Sequence, residues 1–129
     1  MKLLLDTHAL LWWLTDDPRL AERARALISD ERNTVLVSAA SAWEISTKYR
    51  LGKLDLAAAL LPRFNELIAL DGFQHLPVTY LHAIKAGSYA VEHRDPFDRM
   101  LAAQCELEGA TLLSCDRAFE AFSCNTAWN

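Results

Sequence analysis

Apolar residues follow two rhythms along this chain. Short unbroken blocks, KLLL at 2–5, TVLVS at 34–38 and ATLLS at 110–114, have the length and branching of strands buried on both faces. Between them the apolar positions recur at helical spacing, punctuated by cap and stop residues. Asp6 or Thr7 can cap a helix starting at His8. DDPRL predicts a second helix, with Asp17 as cap and Pro18 at its first position, running to about Asp30. Ser38 caps a helix over Ala39–Arg50 that Gly52 stops. Residues 56–70 read as helical with a break at Pro62, and FQHLPV gives a short strand. Thr79 opens a helix ending near Gly87, and HRDP makes a turn. A helix over Phe97–Glu108 then ends at Gly109, and a last short strand falls near Thr126–Trp128. Strands alternating with helices predict an α/β fold, with a mainly parallel central sheet flanked by helices on both faces.

The chain has 129 residues, 52% apolar and 23% charged, which fits one domain over 1–129 with a proper core. Its net charge of −4 argues against coating nucleic acid by bulk electrostatics. It leaves room for local grip on a phosphodiester through a metal and a few arginines. No apolar run reaches membrane-spanning length, and Asp6 and His8 cut the first run too short for a signal peptide. Cys105, Cys115 and Cys124 show no CxxC spacing and read as reduced core thiols, with the cytoplasm as the expected compartment.

Four acids fall where chemistry is expected. Asp6 closes the first strand and Asp116 follows ATLLS; open α/β sheets bind ligands at this carboxyl edge. Glu44, in the second turn of the helix after TVLVS, and Asp98, in the first turn after HRDP, can reach the same edge. At ~4–5 Å and an effective dielectric of about 20, each like-charged pair repels by roughly 3–4 kcal/mol. Raised pKa values or a bound cation must offset that. An all-oxygen ligand set selects Mg²⁺ or Mn²⁺, and phosphodiester hydrolysis is the chemistry such ions support.

Each acid also has a plain structural reading. Thr7 suffices as a helix cap, so Asp6 is taken as a metal ligand. Glu44 ends a Ser41-x-x-Glu44 capping-box pattern, although Ser38 is the better cap; both readings of Glu44 stay open. Asp95, before Pro96, is assigned to capping. Asp98 then suits the positive end of the helix with or without metal, and Asp116 suits a strand-end turn. Lys48, Arg94, Arg99 and Arg117 are candidate phosphate contacts, with a solvated ion pair to Glu44 the simpler role for Lys48. His8, His75, His82 and His93 lack ligand spacing and read as surface or core residues.

LLLDTHALLWWL, SAASAWEISTKYRLGKL, HRDPFDRMLAAQ and LLSCDRAF, in this order, resemble a PIN-domain ribonuclease, and more narrowly the VapC toxins of type II toxin–antitoxin modules. The resemblance implies an acidic site of Asp6, Glu44, Asp98 and Asp116, with Thr7 in the Asp-Thr-His segment and Ser114 two residues before the fourth acid. It also implies Mg²⁺ dependence, RNA as substrate, a homodimer, and inhibition by a small antitoxin. Two rivals remain. A haloacid-dehalogenase-like phosphatase would need a carboxylate two residues after Asp6, where His8 stands. A PIN-like domain retained only for interaction would carry the fold without turnover.

Overall fold

The computed structural model describes residues 1–129. Five strands, β1 (Lys2–Leu5), β2 (Thr34–Ser38), β3 (Gln74–Leu76), β4 (Thr111–Leu113) and β5 (Asn125–Ala127), form one sheet in the order β3-β2-β1-β4-β5. Every pairing is parallel, with Leu4 opposite Leu36 on one side and Leu112 on the other. The chain lays β2 and β3 to one side of β1, then returns to place β4 and β5 on the other. The crevice between β1 and β4 is therefore the switch point, where this class of sheet opens a binding edge.

The helices are α1 (Thr7–Leu14), α2 (Glu22–Ser29), α3 (Ala39–Arg50), α4 (Ala57–Leu60), α5 (Phe64–Leu70), α6 (Tyr80–Ser88) and α7 (Pro96–Glu108). Alternation along the strands divides the core in two. Leu3, Leu5, Val35, Val37 and Leu113 face α1, α2 and Ile45 of α3. Leu4, Leu36, Leu76 and Leu112 face α7 and the phenyl rings of Phe119 and Phe122. Both faces are covered, which is why β1 can be leucine throughout its buried length. No helix is long and apolar enough to cross a membrane.

One expected helix start does not form. The Asp17 carboxylate accepts from the Arg19 N–H and the Arg19 guanidinium, closing a local turn, and α2 begins only at Glu22. Elsewhere the predicted caps hold: Ser38 on α3, Thr79 on α6, Asp95 on α7, and Gly109 in the left-handed region after α7. Pro62 lies in a 3₁₀ turn, Leu61–Arg63, that separates α4 from α5. Of the three cysteines only Cys105 is buried; Cys115 is exposed and Cys124 lies between.

A buried polar link joins the two faces at the carboxyl edge. Ser38 Oγ accepts from the Ala40 N–H at 3.0 Å and lies 2.6 Å from Gln104 Oε1, to which it donates. Gln104 Nε2 donates to the Pro77 carbonyl at 3.2 Å. The link runs from the cap of α3 to the middle of α7, the two helices that carry Glu44 and Asp98. Replacing Gln104 with leucine strands a buried hydroxyl and a carbonyl, so Gln104→Leu is expected to cost about 2 kcal/mol in urea-unfolding stability despite its matched size.

Candidate active site

Asp6 emerges from β1 with its backbone N–H on the Leu113 carbonyl of β4, at 3.2 Å. Its side chain, not that of Thr7, caps α1: Oδ1 accepts from the Ala9 N–H at 2.7 Å. The expected division of labour is thus corrected. A carboxylate is the stronger acceptor at a helix start, and Thr7 is freed to face Glu44. Thr7 Oγ1 lies 2.6 Å from Glu44 Oε1 and 3.1 Å from Ser41 Oγ. With one proton to give, Thr7 gives it to the carboxylate and leaves Ser41 to donate in return. Ser41 is therefore part of the site's support, and no capping box joins it to Glu44.

Glu44 is buried, and its Oε2 holds the Lys48 ammonium at 2.5 Å. The pair is one turn apart on α3, as its spacing implies, but it is not solvated at the acid end. Ser114 Oγ accepts from the Asp116 N–H at 3.0 Å, and its hydroxyl favours the charged form of the Asp6 carboxylate across the crevice. Asp116 itself is exposed and caps a 3₁₀ turn, Arg117–Ala121, through the Ala118 N–H. It acts on Asp6 at a distance, as a like charge.

Asp98 stands one turn into α7, with Asp95 as the cap before it. Its Oδ2 lies 2.9 Å from His93 Nε2, and the His93 ring rests edge-on against Phe122. His93 was expected only as a surface or core residue. Its spacing of five from Asp98 fits no ligand pattern, and only the fold of the HRDP turn brings it back onto the acid. Trp43 and Phe97, the residues just before Glu44 and Asp98, pack edge to face at 4.7 Å.

The basic candidates separate. Arg99 does not face the acids: Nε donates to Ala86 O, Nη1 to Val91 O and His93 O, and Nη2 to Gly87 O and Tyr89 O. All five donors serve the last turn of α6 and the loop before α7, so none remains for a phosphate, and the expected substrate contact is instead a clamp on that segment. Arg94 and Arg117 are exposed, with Arg117 reaching only Glu120 at 3.7 Å. An open hollow of about 360 Å³ beside the crevice includes Ser114, Asp116 and Arg117 in its lining. The largest hollow, about 680 Å³, lies at the opposite end of the sheet, by the starts of β2 and β3.

Burial pushes the Asp6 carboxyl up, against the hydrogen bonds from Ser114 and Ala9 that favour its charged form. Burial likewise pushes Asp98 up to about 6; His93 opposes this, while Asp95 and Glu44 add to it. Burial thus disfavours the charged forms of Asp6 and Asp98, and the Lys48 ammonium stands against Glu44. The donor set of carboxylate and hydroxyl oxygens suits a hard divalent cation. No three His, Cys, Asp or Glu side chains are arranged here to hold an ion together, so binding one calls for side-chain rotation.

A PIN-domain family model matches residues 3–123, and the chain belongs to that family. The ribonuclease VapC16 of Mycobacterium tuberculosis (strain ATCC 25618 / H37Rv) is 61% identical over 41 residues, a match spanning 29% of this chain and 29% of that protein. The chain thus matches less than a third of the length of this relative. The VapBC2 structure from Rickettsia felis, bound to a DNA fragment from their promoter, superposes with a TM-score of 0.73 at 15% identity, covering 100% of both chains. FitAcB from Neisseria gonorrhoeae gives 0.66 at 22% identity, over 98% of this chain and 96% of that one.

Between about pH 4 and 6 the native chain keeps a proton on Asp98 that the unfolded chain has released, so this group's contribution to stability falls as pH rises. Metal-free Asp98→Asn should therefore gain stability relative to the parent between pH 5 and 7.5, by on the order of 1–2 kcal/mol in parallel denaturant titrations. Arg99→Ala should speed amide exchange across residues 86–93, read by mass spectrometry, more than elsewhere in the chain.

Proposed function

We propose that this chain is a Mg²⁺-dependent endoribonuclease, with Mn²⁺ able to substitute, and that it is the toxin of a type II toxin–antitoxin module. The observation that supports the reading is that Asp6 closes β1 at the switch point, Glu44 is tied to the next residue, Thr7, and Asp98 and Asp116 lie within charge range of Glu44 and Asp6 respectively, in a member of the PIN-domain family. The local match to a VapC ribonuclease supports RNA as substrate. The likeness in fold to VapBC and FitAcB assemblies supports a small cognate antitoxin as partner, and a homodimer is the assembly the family resemblance implies.

When bound, a divalent cation supplies an activated water and stabilises the leaving oxygen. The chain's own groups prepare for that. Ser114 and the Ala9 N–H fix the Asp6 carboxylate. Thr7 fixes one oxygen of Glu44. His93 holds Asp98 Oδ2. Arg94 and Arg117, exposed near this edge, are the cations available for the sugar–phosphate backbone.

The test is cleavage of a mixed cellular RNA by the purified chain with Mg²⁺, Mn²⁺ or EDTA. Cutting is expected only with metal, and Asp6→Ala or Asp98→Asn should lower it at least a hundredfold while the protein stays folded by circular dichroism. Cutting that survives in EDTA, or in either variant, would overturn the assignment.

A further inference from the structure

Glu44 has both oxygens hydrogen-bonded, and the two partners differ in how easily they can leave. Thr7, on Oε1, is buried in the first turn of α1 and braced by Ser41. Lys48, on Oε2, reaches in along α3 from the rim on a flexible stem, its side chain 37% exposed against 5% for Glu44. A solvated pair at this helical spacing is weak. Here the carboxylate end is out of water, and an unpaired charge there is costly. A cation must therefore always stand near Glu44, and Lys48 is the one this chain provides.

We propose that the Lys48 ammonium is the resident counter-ion of the metal-free site, and that a divalent cation binds by exchange, taking Glu44 Oε2 as the ammonium leaves it. This rests on the divalent-cation reading above. The two cations repel each other and crowd at Oε2, the oxygen nearer the rim, because the Thr7 hydroxyl already stands on the buried side at Oε1. The exchange has a second effect. A displaced Lys48 stays tethered to α3 at the rim, turning a cation neutralised by Glu44 into one free to meet a phosphate. Metal binding then exposes the lysine that was a candidate backbone contact, so the cleft becomes attractive to a polyanion only once it is loaded.

The first test uses the wild-type chain with ¹⁵N-labelled lysine and Mg²⁺ alone as the probe. Without metal, the Lys48 Nζ resonance, identified by its loss in Lys48→Arg, should show slowed proton exchange; saturating Mg²⁺ should shift it to the free-lysine position. The second is calorimetric. Lys48→Met should bind Mg²⁺ roughly tenfold more tightly, since one repelling charge is gone. Lys48→Arg, which keeps that charge, should stay within about twofold of wild type. Mg²⁺ binding that leaves the Lys48 resonance unmoved, or Lys48→Met binding Mg²⁺ no more tightly than wild type, overturns the exchange and leaves the nuclease reading standing. No Mg²⁺ or Mn²⁺ binding at millimolar concentration overturns both. If Lys48→Met does not fold, the wild-type resonance decides alone.

Discussion

The structure depends on how β1 ends. A strand with parallel neighbours on both sides and apolar layers on both faces has nowhere to place a polar group until it leaves the sheet. Asp6 is that first position. Its N–H completes the ladder to β4, its carboxylate opens α1, and the Ser114 hydroxyl at the exit of β4 favours its charged form. One residue is therefore joined to the sheet, to a helix and to the neighbouring strand's exit. The other acids are placed relative to it: Glu44 through Thr7, the next residue along, and Asp116 through Ser114.

Gathering acids this way works against folding. A whole domain is stable by only about 5–15 kcal/mol, so even two uncompensated repulsions of the size expected for close carboxylates would consume much of it. The chain answers with several devices. Backbone N–H groups at helix starts meet Asp6, Asp95 and Asp116. Burial keeps Asp6 and Asp98 on the protonated side of ordinary behaviour. Lys48 meets Glu44.

Local interactions were legible in the sequence, and distant ones were not. Ser38, Thr79, Asp95 and Gly109 act on the helix each adjoins, so neighbouring residues alone disclose their roles. Strand blocks bounded by such signals predict a mainly parallel sheet with helices on both sides, and the sheet is parallel throughout. Asp17 misled because Arg19, two residues on, outcompeted a helix start for its carboxylate. Arg99 misled because the carbonyls that hold it belong to a loop whose path nothing local dictates. His93 reads in the sequence as a surface or core residue for the same reason. Asp6 and Thr7 were recognised as a pair with two jobs, but which took which depended on Glu44, 37 residues from Thr7.

The register of the sheet also has a meaning in time. Leu3, Leu4 and Leu5 pair with Thr111, Leu112 and Leu113, so the central strand lacks one of its two neighbours until β4 has been made. Contacts that distant form late. Asp6 and Glu44 leave the ribosome well before the Ser114 hydroxyl and the Asp116 carboxylate. The acidic edge is thus completed only after β4 has emerged, and a chain cut before Ser114 lacks it.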